Sequence, residues 1–119
     1  FTPERRQTYG LEVIISDGGS TDSTSEVIAK ARECGLITTV VQHTDTSRRQ
    51  TIAEGRNAGA ALAQSPVLVF INADTLPHSM DDLCESIVAW ANNPQLRIAS
   101  PAATTPVRIA PEERLWSDV

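Results

Sequence analysis

The chain has 119 residues, 40% of them hydrophobic, and carries a formal net charge of −5. That length supports one compact domain with a real core, and the acidic balance excludes a surface built to neutralise nucleic-acid phosphates or to rest on anionic lipid. Cys34 and Cys84 stand far apart, as do His43 and His78, so neither a disulfide framework nor a zinc site is indicated, and a reducing, cytoplasmic setting is expected. No apolar run approaches the roughly eighteen residues of a membrane helix, and the opening FTPERRQTYG has no signal-peptide pattern.

In chain order, residues 11–16 form a nearly continuous apolar run that suits a strand covered on both faces. A helix follows, with capping-box spacing at Ser23-x-x-Glu26, a stripe of Val27, Ala31 and Cys34, and Gly35 where it would end. Residues 37–42 read as a second strand. The segment 47–64 has helical period and places Ile52, Gly55, Gly59 and Leu62 on one narrow face. Two glycines in a helix cost about 1 kcal/mol each relative to alanine, so either the face packs closely or the start is not helical. A third strand is expected at 67–72. Ser79-x-x-Asp82 then caps a helix with Leu83, Ile87 and Trp90 as its buried stripe and Pro94 as its stop, and a weaker strand is expected at 96–100.

Strands alternating with helices imply a parallel sheet with right-handed crossovers, and ligands of such sheets bind beyond the carboxyl ends of the strands. Two polar segments fall there. Asp17-Gly18-Gly19-Ser20-Thr21-Asp22 leaves the first strand and enters a helix, but it has neither the G-x-G-x-x-G spacing nor the G-K-[ST] ending of the glycine-rich phosphate loops. A ligand-facing turn and a plain turn of capping residues both account for it. Asn72-Ala73-Asp74-Thr75 places a carboxylate just past the third strand. It could hold a hard divalent cation on a diphosphate, or form an Asx-type turn before Pro77.

The run EVIISDGGSTDST, with EGRNAGAALAQSPVLVFINADT about forty residues later, resembles the inverting glycosyltransferases of family 2, over about residues 9–101. The resemblance implies an α/β fold, the Rossmann-like GT-A three-layer sandwich with a mostly parallel sheet. The whole of 1–119 would be the nucleotide-sugar-binding part, lacking the family's first strand, with 102–119 a tail or the start of the acceptor half. It also implies transfer of a sugar from a UDP or GDP donor to an acceptor hydroxyl with inversion.

By the same resemblance Asp17 would accept a hydrogen bond from the nucleobase, with Gly18 beside it. Asp74 would ligate Mg²⁺ or Mn²⁺ on the diphosphate, and Arg56 would pair with phosphate oxygens, assisted by Asn72. Asp17 and Asp74 should then meet in one cleft. Many members carry two adjacent acids where this chain has Asp17-Gly18, and an aspartate where it has Asn72, which puts a ribose contact and a metal ligand in question. Glu112 and Glu113 come too early for the family's catalytic base, so none is assigned. A nucleotidyltransferase that makes the sugar nucleotide and a non-catalytic nucleotide-binding module are the alternatives, although the first usually shows a Gly-rich loop that this chain lacks.

Overall fold

A computed structural model describes residues 2–73 and 75–95. The chain divides into two compact units, Phe1–Phe70 and Ile71–Val119.

The first unit opens with α1 (Pro3–Tyr9), which starts at a Thr2 cap accepting from Arg5 N and ends at Gly10 with φ 64°. Then come β1 (Ile14–Asp17), α2 (Thr24–Glu33), β2 (Thr39–Gln42) and α3 (Ile52–Leu62). β1 and β2 pair in parallel with Ile14 opposite Thr39 and Asp17 opposite Gln42. Strand alternation sorts the side chains onto two faces. Ile14 and Ser16 meet α3, while Asp17, with Val40 and Gln42, borders a cavity walled by α2. α3 therefore packs on one face of the parallel pair, and α2 stands across an open cavity on the other.

Gly35 ends the α2 segment as expected. Its φ is 78°, and the bonds Leu36 N→Ala31 O (2.9 Å) and Gly35 N→Arg32 O (3.1 Å) close a Schellman motif. The other end departs from expectation. Ser23 has φ −73° and ψ 4°, so its hydroxyl makes no cap, and Asp22 instead accepts from Thr24 N at 3.0 Å. The buried stripe is also rotated: Val27 is 63% exposed and Cys34 is exposed, whereas Ile28 and Ala31 are partly covered. Ile28 belongs to the cavity wall facing β2, which draws the apolar face one position along the helix.

Arg6 of α1 donates from one guanidinium nitrogen to Gly35 O and from the other to Thr38 Oγ1 at 2.7 Å, and the same hydroxyl accepts from Val13 N at 3.1 Å. One side chain thus ties α1 to the end of α2 and to the entrances of both strands.

The segment 47–64 is helical only from Ile52. Thr51 has extended backbone (φ −76°, ψ 160°) and forms a capping box with Glu54, which sets the start. The glycine face lies on β1: a methyl at Gly59 would stand 3.8 Å from Ser16 Cβ and 3.9 Å from Ile14 Cγ2, the close approach that the two glycines permit. Ser16 Oγ donates to Gly55 O at 2.8 Å, and Glu12 accepts from Gln64 N at 2.9 Å. These bonds orient α3. Its N-terminal half lies at the carboxyl end of β1 and its C-terminal end at the start of β1.

Glu54 accepts from Arg48 Nη1 and from Thr51 N, each at 2.8 Å. The hydrogen bond from Arg48, and then that from Thr51, pull its carboxyl down to about 2. A depressed carboxylate contributes stability that is complete above its unfolded value, near 4.5, and is lost as pH falls toward 2. Urea unfolding of Glu54→Ala beside the parent is therefore expected to show a stability gap at pH 7 that narrows from about pH 5 downward and closes near pH 2. A gap independent of pH would mean that Glu54 acts through packing alone.

Residues 67–72 do not join the sheet as expected. Among the described residues the sheet has two strands, and residues 68–71 make no ladder bonds while Leu68, Val69, Phe70 and Ile71 are 42–54% exposed. Apolar, β-branched composition favours a strand only where a neighbouring edge supplies the ladder. The strand expected at 96–100 lies outside the described residues.

In the second unit, α4 (Met80–Ala91) begins where expected, with Ser79 Oγ accepting from Asp82 N at 3.2 Å. Its most buried side chain is Cys84, at 1% exposure, so the covered face is centred between the expected Leu83 and Ile87 and includes Val88. α4 ends at Ala91, short of Pro94, with Asn92 N bonded to Val88 O at 3.0 Å. No helix among the described residues is long and apolar enough to cross a membrane.

Candidate functional site at the carboxyl edge of the sheet

Asp17 is the last residue of β1 and is 7% exposed. Its Oδ1 accepts from Ser20 N at 3.1 Å and from Ser20 Oγ–H at 2.6 Å, so half of the carboxylate fastens the turn that follows the strand. The turn is fixed from the other side as well. His43 N donates to Asp17 O at 2.8 Å, extending the pairing past β2, and Gly19 has φ 95° with His43 O 3.3 Å from where its Cβ would be. Only glycine holds that position without strain. The turn reading and the ligand reading of this segment are therefore compatible: Oδ1 belongs to the turn, and Oδ2 has no partner among the described residues.

Asp17 borders an open cavity of about 410 Å³ between the sheet and α2. Ile28, Ala29 and Val40 form its apolar wall, and Gln42 adds a polar group near Asp17. A flat ring with polar edges suits such a lining.

On the opposite face the same edge carries the start of α3. Ser16 holds Gly55, and the neighbouring Arg56 places its guanidinium 5.9 Å from the centroid of the Phe70 ring. A guanidinium over an aromatic face keeps its N–H groups in its own plane, where they can meet phosphate oxygens. Asp17, Gly18 and Arg56 thus belong to one edge of one unit, Arg56 through its neighbour Gly55.

Thr24 lowers the pKa of Asp22 by hydrogen bonds from its hydroxyl and backbone, and Ser47 lowers that of Asp45 in the same way. Arg48 is engaged by Glu54 at 2.8 Å and by Asp45 at 3.6 Å, so its charge is matched within its own loop.

Asn72 lies in the second unit, where its backbone carbonyl accepts from Thr75 N at 3.0 Å, a main-chain turn bond and not the side-chain bond of the Asx-type turn expected for this segment. Asp74, and with it the expected meeting of Asp17 and Asp74, lies outside the described residues. Among the described residues no group of three or more His, Cys, Asp or Glu is placed to hold a metal ion.

Gln50 was missed in the sequence. It precedes the Thr51 cap, and its Oε1 lies between Gly18 and Gly55. The Thr51-x-x-Glu54 spacing is the signal that would have placed it, because that box makes residue 50 the last loop residue before α3.

Residues 4–107 match the sequence model of glycosyl transferase family 2, and the chain belongs to that family. It is similar to the validoxylamine A glucosyltransferase of Streptomyces hygroscopicus subsp. jinggangensis (strain 5008), with 40% identity over 74 residues, 60% of this chain and 17% of that protein. A protein of the same name from Streptomyces hygroscopicus subsp. limoneus is 40% identical over 66 residues, 56% of this chain and 14% of its own length. The matches thus span about a sixth of these relatives. No solved structure matches the chain.

Proposed function

We propose that the full-length protein is an inverting glycosyltransferase that moves a sugar from a UDP or GDP donor to an acceptor hydroxyl. The observation that carries this reading is Asp17: a buried carboxylate at the carboxyl end of a parallel strand, one oxygen locked into the turn and the other without a partner among the described residues, beside a cavity with an apolar wall. Family membership supports it. The names of the two relatives support a glucosyl group as the one transferred.

In this reading Asp17 Oδ2 accepts from the N–H of the base. Arg56 pairs with the diphosphate, and Asp74, assisted by Asn72, holds Mg²⁺ or Mn²⁺ against it. The cation supplies charge neutralisation as the diphosphate departs. The base that takes the acceptor proton is assigned to none of the described residues.

Calorimetric titration of the full-length protein with UDP and GDP, with Mg²⁺ and then with chelator, tests the reading. Asp22 and Asp45 keep negative charge near the edge, so a diphosphate entering without a cation meets repulsion. Binding is expected to weaken by about tenfold or more on chelation, a loss of about 1.4 kcal/mol or more. Equal affinity in both conditions would leave Arg56 as the main phosphate partner and remove Asp74 from the metal. Failure to bind either nucleotide would defeat the transferase reading.

A further inference from the structure

Gln50 closes the loop between β2 and α3, and its side chain reaches back between the two glycine-bearing segments of the edge. A methyl at Gly55 would come 3.1 Å from Gln50 Oε1, and one at Gly18 would come 3.5 Å from it. The lack of a Cβ at Gly55 gives the carboxamide its room, while a methyl at Gly18 would only touch it. It is partly covered, and it has no hydrogen-bond partner among the described residues. Its amide atoms keep some contact with solvent, so a ligand can take the place of water there.

We propose that Gln50 recognises the ribose hydroxyls of the nucleotide donor. The assignment rests on the transferase reading above and extends it to the sugar of the nucleotide. The order of groups along the edge carries the argument: Asp17 for the base, then Gly18 with the Gln50 carboxamide over it, then Gly55 leading to Arg56 for the diphosphate. A nucleoside diphosphate has the same order, base, ribose, diphosphate. The chemistry agrees with the middle position. A carboxamide both donates and accepts, as a hydroxyl does, whereas a diphosphate offers acceptors only and is better met by cations. Gln50 Oε1 lies at contact distance from where a Cβ at position 18 would stand, so the polar group beside Gly18 comes from the loop before α3.

The test is titration of the full-length protein with UDP and GDP and, for whichever binds better, its 2′-deoxy and 3′-deoxy counterparts. The parent is expected to prefer the ribonucleotide over at least one deoxy analogue by about five- to tenfold, the effect of one neutral hydrogen bond. Gln50→Ala should bring that ratio to about one, while Gln50→Glu, which keeps an acceptor at the same reach, should preserve it. Because the readout is a ratio within each variant, a general loss of folded protein cancels. An unchanged ratio in Gln50→Ala overturns the role of Gln50 and leaves the transferase reading standing. A parent that binds no nucleoside diphosphate overturns both.

Discussion

Asp74→Ala in the full-length protein is expected to lower kcat by about a thousandfold or more while leaving the fold and most of the donor affinity in place. A divalent cation on the diphosphate acts on charge that grows as the glycosidic bond to phosphate breaks, so its ligand is felt chiefly in the transition state. Losses of this kind fall on kcat and kcat/KM together, and a thousandfold corresponds to about 4 kcal/mol. Donor-saturation kinetics at several Mg²⁺ and Mn²⁺ concentrations, with circular dichroism on the same samples, would measure the effect. Partial recovery at high metal would identify a weakened site. A variant with near-normal kcat would exclude Asp74 from the chemistry and leave Arg56 as the main partner of the diphosphate, whereas a parent that binds donor without turnover would favour the nucleotide-binding module.

Much of the fold was legible because local chemistry decided it. Gly35 at a positive φ, the Ser79 cap and the glycine face of α3 are set by neighbours within a few residues or by the lack of a Cβ, and sequence spacing reports such features directly. Features decided by a distant partner were read less well. Residues 67–72 have strand composition, yet a strand is defined by the ladder it joins, and none is present there among the described residues. Ser23 stands at the right spacing from Glu26, but its backbone torsions aim the hydroxyl elsewhere, and Asp22 takes its place. In the site, the position of Asp17 was legible from the apolar run before it, whereas the division of its carboxylate into a turn oxygen and one without a partner among the described residues depends on Ser20. The Thr51-x-x-Glu54 spacing places Gln50 just before α3, but its proximity to Gly18 was not legible, since it arises from the loop returning to the sheet edge.

That division of Asp17 determines which substitution isolates its role. Alanine would remove the acceptor for Ser20 N and Oγ together with the ligand oxygen, so a loss of binding could come from a loosened turn. Asp17→Asn is the cleaner change. The amide oxygen can stay on Ser20 N, which needs an acceptor, and this directs the NH₂ toward the ligand, where a base N–H would now face another donor. Affinity for a UDP donor is expected to fall about ten- to a hundredfold, or roughly 1.5–3 kcal/mol, the range of a hydrogen bond to a charged group. kcat at saturating donor should change little, because the base lies far from the reacting carbon and is held alike in ground and transition states. The preference among bases should shift too. Cytosine presents a ring-nitrogen acceptor where uracil presents an N–H, so CDP should lose far less affinity than UDP on Asp17→Asn and could gain relative to the parent. Competition titrations with UDP, GDP and CDP on both proteins measure this directly. Equal losses for all three nucleotides would assign Asp17 to the turn alone and move base recognition to another part of the cavity.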